Sequence, residues 1–318
     1  MASRGRDGRP AFIASTGGHL VEMRLLAPVL EPGRHRQALW VTHRTPQSES
    51  ALAGEDVVFV DHVGSRDYAG VVRVAPRILR ALRTHDVDTV YSTGAAIALS
   101  ALPLARLSGA RTTYVESLTR PLGPSMTGRI LGALPWGRVL TQYEALAGRR
   151  WKYAVSLMDS FIASRSAAPA RPRRVFVTIG TVGQYQFRRV LERLVDVLPP
   201  ECEVTWQTGT TRTDGLGIDA RPMMTEAEFR AEVARADVVV AHAGCGTFLQ
   251  CLELGKAPVM VPRRAAHDEH VDDHQEQLAS VAAGRGLAVM READELRWAD
   301  LCEAAAIRVA RTTDLRTA

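Results

Sequence analysis

The chain has 318 residues, which favours about two domains, and 46% hydrophobic with 24% charged residues marks a globular protein rather than a disordered or fibrous one. Its net charge of +5 is uneven: residues 1–165 carry +8 and residues 166–318 carry −3, so the first half suits an anionic membrane or a phosphorylated substrate, or simply displays arginine as its default surface charge. Nucleic acid is not an expected partner, because the basic residues are dispersed and no recognition motif accompanies them. Cys202, Cys245, Cys251 and Cys302 lack metal-ligand spacing and fit small buried side chains in a reducing cytoplasm.

The opening MASRGRDGRPAF is basic, but its apolar run is too short for a signal peptide. The longest uncharged stretch, 89–105, is too short and too polar for a transmembrane span. From there the strand and helix signals alternate. Branched runs predict strands at 11–15, 38–42, 57–60, 89–92, 112–116 and 139–142, and helical patterns fall at 19–30, 68–83, 95–107 and 125–134. Apolar strands alternating with helices imply a parallel sheet covered on both faces.

The segment SRSAAPARPRR has two prolines and no periodicity, so 164–173 reads as a linker between domain 1–163 and domain 174–318. The alternation then restarts, with strands at 174–179, 204–207, 238–241, 258–261 and 287–290. Helices are predicted at 187–198, 226–235, 247–254 and 273–283, and a last helical stretch over 294–311 is expected to pack back on the first domain. Two Rossmann-like α/β domains facing across a cleft is the economical architecture, with ligands at the carboxyl ends of the strands.

Two glycine turns stand at those ends. In Ser15-Thr16-Gly17-Gly18-His19, Gly17 and Gly18 allow a ligand to approach the backbone closely. His19 falls in the first helical turn, where the helix dipole favours the neutral imidazole and suits it to take a proton from a hydroxyl. Glu116, at the end of a strand, is suited to orient His19, to bind sugar hydroxyls or to be the base itself. The second turn, His242-Ala243-Gly244-Cys245-Gly246-Thr247, offers backbone N–H groups and a helix N-terminus to a phosphate-bearing ligand. Gly180 and Thr181 end another strand and can touch phosphate or sugar.

Neither turn carries the dinucleotide pattern GxGxxG or the P-loop pattern GxxxxGK[ST], and Cys245 stands in no GxSxG elbow. His270 and His274 are four apart, but no glutamate occupies the metalloprotease position, so no metal site is expected. Asp272 or Glu276, with Gln275, reads better as a set of partners for sugar hydroxyls.

Together Ser15–His19, Tyr91–Gly94, Tyr114–Arg120, Val177–Gly180, His242–Thr247, the run ELGKAP at 253–258, and His270–Ala279 resemble a GT-B glycosyltransferase of the family 28 kind. The chain looks like a fusion of the two subunits of the dolichol-pathway N-acetylglucosaminyltransferase, and like its bacterial exopolysaccharide relatives, over roughly residues 10–163 and 173–310. The resemblance implies a UDP-sugar donor in the second domain, its diphosphate by His242–Thr247 and Gly180 and its sugar near Asp272, His274 and Gln275. It implies an acceptor hydroxyl met by His19 with Glu116, inversion by direct attack, and no obligatory metal or cofactor, with Lys256 or Arg263 adding charge to the leaving-group site.

The acceptor implied is a polyprenyl-diphosphate-linked saccharide in cell-surface polysaccharide synthesis. A soluble natural-product acceptor and a UDP-sugar epimerase on the same fold remain alternatives, as does a noncatalytic nucleotide-sugar binding partner. Lacking the eukaryotic subunit's hydrophobic anchor, the chain is expected in the cytoplasm or at the cytoplasmic membrane face. Leu118, Leu122, Met126, Ile130, Leu131, Leu134 and Trp136 serve either lipid contact or the core. A homodimer is also compatible with the sequence.

Overall fold

The computed structural model describes residues 8–64, 67–166, 171–180, 185–270 and 272–312, which divide into two compact units between Leu157 and Met158. The first unit runs β1 (Arg9–Ala14), α1 (Gly18–Leu30), β2 (Leu39–His43), α2 (Pro46–Ala51), β3 (Asp56–Val60), α3 (Tyr68–Thr84), β4 (Val87–Gly94), α4 (Ile97–Leu107), β5 (Arg111–Val115), α5 (Met126–Ala133), β6 (Arg138–Thr141) and β7 (Trp151–Tyr153). Its seven strands pair in the order β3-β2-β1-β4-β5-β6-β7, all parallel.

The sequence sets these elements locally. Asp67 caps α3 by accepting from the Gly70 N–H, and Ser125 caps α5 by accepting from the Gly128 N–H. Apolar runs such as Phe12–Ala14 are buried because helices cover both faces of the sheet. Phe12 packs on Trp40 and Tyr91 with ring centroids 5.0 and 5.5 Å apart. Pro76 and Pro103 lie inside continuous helices, so neither ends its element.

The second unit contains β8 (Phe161–Arg165), β9 (Arg174–Thr178), α6 (Arg188–Val197), β10 (Glu203–Gln207), β11 (Ala220–Arg221), α7 (Glu226–Arg235), β12 (Val238–His242), α8 (Cys245–Glu253), β13 (Val259–Val261), α9 (His274–Gly284), β14 (Val289–Met290), α10 (Trp298–Ala305) and β15 (Ile307–Arg311). Six strands form a parallel sheet in the order β11-β10-β9-β12-β13-β14. Thr225 and Glu228 form a reciprocal capping box at the start of α7.

Two sequence expectations change here. The stretch 294–311 is not one helix: α10 ends at Ala305, and β15 pairs antiparallel with β8. The alternating branched residues Ile307 and Val309 are buried there, as a strand period requires. For the same reason Ser164 and Arg165, expected in the linker, lie in a paired strand. No helix among the described residues is long and apolar enough to cross a membrane.

Both parallel sheets reverse their strand order once, between β1 and β4 in the first unit and between β9 and β12 in the second. A doubly wound sheet leaves a crevice at the carboxyl ends of the strands where its order reverses. In this chain those ends carry Ser15–His19 beside Gly94, and Gly180 beside His242–Thr247.

Candidate active site

At the first reversal, Gly17 precedes α1 with φ +77°, a conformation that glycine adopts without strain. Apart from its chain neighbours, nothing among the described residues lies within 4 Å of where a Cβ on Gly17 would stand, so the turn is open. Gly18 and His19 form the first turn of α1, which begins without a side-chain cap and without an acidic residue. The His19 side chain is 30% exposed, and its carbonyl accepts from Thr93 Oγ1 at 2.9 Å. Gly94, with φ +106°, brings the end of β4 against the ring: a Cβ there would lie 3.3 Å from His19 Cε1 and 3.4 Å from the Tyr114 hydroxyl.

Glu116 is buried beyond β5, and its bonds run toward α5. It accepts from Ser117 N (3.1 Å), Ser125 N (2.9 Å), Ser125 Oγ (3.1 Å) and the Tyr114 hydroxyl (3.1 Å). Burial raises its pKa, against these hydrogen bonds. A Cβ on Gly128 would stand 2.1 Å from Glu116 Oε2, so the carboxylate sits against the first turn of α5.

The carboxylate recorded at His19 is Glu22, whose Oε2 is 3.8 Å from Nδ1. The sequence reading passed over Glu22. Its signal was a lone acid three residues after His19, in a helix whose surrounding Leu20, Val21, Met23, Leu25 and Leu26 are all buried.

At the second reversal, the His242 ring is wedged between two glycines. A Cβ on Gly180 (φ +85°) would lie 2.8 Å from His242 Nε2, and one on Gly244 would lie 2.3 Å from it. Both glycines are therefore needed to seat this imidazole. Burial, reinforced by the Arg263 guanidinium, lowers the His242 pKa to about 3, so the ring is neutral.

Beyond it, α8 begins at Cys245 with no side-chain cap at Gly244 and no acid in its first turn. Cys245 is buried, whereas Gly246 and Thr247 keep partial solvent exposure. A helix start of this kind attracts an anion. Thr181 lies outside the described residues.

Arg263 and Lys256 do not stand as free cations at this turn. Arg263 is buried, donating to the Ile179 carbonyl at 2.6 Å, and burial lowers its pKa to about 10. It fixes the strand end that leads into Gly180. Lys256 Nζ donates to the Ala236 carbonyl at 2.8 Å, just before the start of β12 and so at the opposite end from His242.

Gln275 is buried and its Oε1 accepts from Arg263 N at 3.0 Å. Asp272 pairs with the His274 ring, and His270 packs edge-on against His274 with centroids 4.6 Å apart. Donor atoms of His270, Asp272 and His274 lie within 4.8 Å of one another, which makes this the set able to hold a cation among the described residues. The spacing of His270 and His274 alone did not reveal that Asp272 joins them.

Residues 174–297 match the family model "Glycosyltransferase family 28 C-terminal domain". The chain is 26% identical over 311 residues to the UDP-N-acetylglucosamine--N-acetylmuramyl-(pentapeptide) pyrophosphoryl-undecaprenol N-acetylglucosamine transferase of Synechococcus sp. (strain CC9902), covering 87% of this chain and 81% of the relative. Among solved structures it is similar to MurG of Acinetobacter baumannii, with TM-score 0.58, 17% identity and 94% of each chain covered. It is also similar to the glycosyltransferase SnogD of Streptomyces nogalater, with TM-score 0.59 and 18% identity over 94% of this chain and 93% of that one. Two Rossmann-like α/β units make this a GT-B fold.

Proposed function

We infer that this chain, a GT-B glycosyltransferase related to family 28, moves a sugar from a UDP-sugar donor to an acceptor hydroxyl. The observation that carries the reading is the start of α8, an uncapped and acid-free helix N-terminus inside the matched family domain. On this reading the diphosphate lies on the backbone of Gly244, Cys245, Gly246 and Thr247, beside Gly180. The sugar meets Asp272, His274 and Gln275. The first unit supplies the acceptor side through Gly17, Gly18 and His19.

His19 takes the proton of the acceptor hydroxyl. The oxygen attacks the anomeric carbon opposite the diphosphate, the bond to the leaving oxygen breaks, and the product is inverted. Negative charge developing on the leaving diphosphate is met by fixed N–H dipoles, which need no reorganisation during the step. Glu116, tied to the start of α5, shapes the acceptor side. The two units then correspond to the acceptor and donor subunits of the dolichol-pathway enzyme, joined in one chain.

The acceptor proposed is a polyprenyl-diphosphate-linked saccharide. Leu122, Met126 and Ile130 are 77%, 56% and 38% exposed, next to exposed Arg129, and together they suit contact with an anionic lipid surface. Leu118 and Leu131 belong to the core instead.

The test measures UDP release from a panel of UDP-sugars, offered polyprenyl-diphosphate saccharides in vesicles and small aglycones in solution. Turnover with the vesicle-borne acceptor is expected. Turnover with small aglycones alone would replace the acceptor assignment. Sugar isomerisation without acceptor would replace the reaction with epimerisation, and failure to bind any UDP-sugar would remove the donor assignment.

A further inference from the structure

Glu22 lies on α1, so its side chain shares a face with His19. It is fully buried, and three donors fix it: Leu118 N at 2.7 Å and Gln142 Nε2 at 3.1 Å to Oε1, and Ser117 Oγ at 2.8 Å to Oε2. Those donors come from the segment after β5 and the residue after β6, so the carboxylate is held from outside its own helix. Oε2 then stands 3.8 Å from His19 Nδ1, within reach of a small ring rotation.

A hub of hydrogen bonds alone would be served by a neutral amide, without the cost of burying a charge. The adjacent imidazole gives the acid a purpose. Burial, with a smaller push from the Glu116 carboxylate, raises the Glu22 pKa to about 7, against the bonds from Leu118, Ser117 and Gln142. The titratable groups around it are His19, Glu116 and Tyr114, whose phenol burial pushes well above its ordinary value.

We propose that Glu22 is the positioning residue for His19: it receives the Nδ1–H, which turns Nε2 toward the acceptor hydroxyl as the atom that takes the proton. The inference rests on the reading of His19 as base. The proton leaves the acceptor oxygen for Nε2, that oxygen bonds the anomeric carbon, and the diphosphate departs with the electron pair of the broken bond. Glu22 keeps its place and stabilises the imidazolium formed.

Glu22→Gln is the probe, because the amide retains one acceptor oxygen and can donate to Ser117 Oγ. The expected result is a kcat lower by roughly 10- to 100-fold with donor KM unchanged. The acid limb of kcat/KM is expected to move to lower pH by about one unit, because loss of the carboxylate makes the ring harder to protonate.

In the His19→Ala background the same change should alter kcat less than about 2-fold, as partners in one unit are non-additive. An equal loss in both backgrounds, or a wild-type kcat and pH profile for Glu22→Gln, overturns the inference and leaves the base assignment standing. Full turnover in His19→Ala removes the base assignment itself, and the inference with it.

Ring-nitrogen NMR of His19 gives a readout independent of turnover. An Nδ1–H tautomer is expected in the native chain and a mixture in the variant, and unchanged signals overturn the proposal. Should Glu22→Gln melt below the assay temperature, Ser117→Ala removes one donor from Oε2. Its kcat effect must likewise vanish in the His19→Ala background.

Discussion

The two glycine turns occupy equivalent places in their sheets and each carries a histidine, yet they use it in opposite ways. In the first unit the space over Gly17 is open, and His19 stands partly in solvent beside a buried acid. In the second, the His242 ring fills the room left by Gly180 and Gly244 and is held neutral by burial. The same strand–turn–helix thus yields a partly exposed ring beside an acid in one case, the ring we propose as the base, and a ring serving as a packing block in the other. What differs is the neighbour: Glu22 for His19, and two missing side chains for His242.

The sharpest way to break this contrast is to remove each ring. His19→Ala should lower kcat by roughly 100- to 10,000-fold while UDP binding is retained, measured by steady-state kinetics and calorimetry. His242→Ala should instead weaken UDP binding before it touches the chemical step. A common pattern for both variants would erase the distinction.

A second test fills the glycine space. Gly244→Ala drives a methyl into the His242 ring and should weaken UDP binding by roughly 10- to 100-fold, as overpacking of about 1–3 kcal/mol would. Adding His242→Ala to that variant should recover part of the loss, a non-additivity that binding isotherms would reveal. Gly17→Ala meets no side chain across the turn but forces a Cβ into φ +77°, ψ −136°, a conformation nearly confined to glycine, and should cost about 1–3 kcal/mol in thermal melts.

The contrast can also be sharpened through stability against pH. The folded pKa of His242 is about 3, below its ordinary value of 6.5, so the unfolded chain binds a proton that the native ring refuses. His242 therefore contributes its full stability above pH 6.5 and loses it as pH falls toward 3. His242→Asn should remove a slope worth on the order of 3 kcal/mol by pH 4, seen as a shallower decline of Tm than in the parent. A parallel decline in both chains would show that the ring protonates freely in the folded state.

Much of this was legible beforehand because it depends on short-range pattern. Branched runs gave the strands of both parallel sheets to within about two residues, except the short edge strands β7 and β11, which have too few residues to show a pattern, and the glycine turns marked both reversals of strand order. What escaped depends on contacts between distant segments. Glu22 is an ordinary helical acid until Leu118 and Gln142 close around it, and Gly128 is an ordinary helical glycine until Glu116 arrives. Ile307–Arg311 reads as helix by continuation from α10, and becomes strand because Phe161–Arg165 offers an edge more than a hundred residues away. Arg263 looks like a surface cation until the Ile179 carbonyl claims it.

The antiparallel pair β8–β15 has a practical meaning for anyone dissecting this chain. It zips the entry of the second unit to its exit, so the natural scissors point lies before Met158, not in the proline-bearing segment after Ser166. A fragment cut at Arg174 would leave Ile307–Arg311 with bare backbone groups, an invitation to self-association. One begun at Met158 would carry its own clasp.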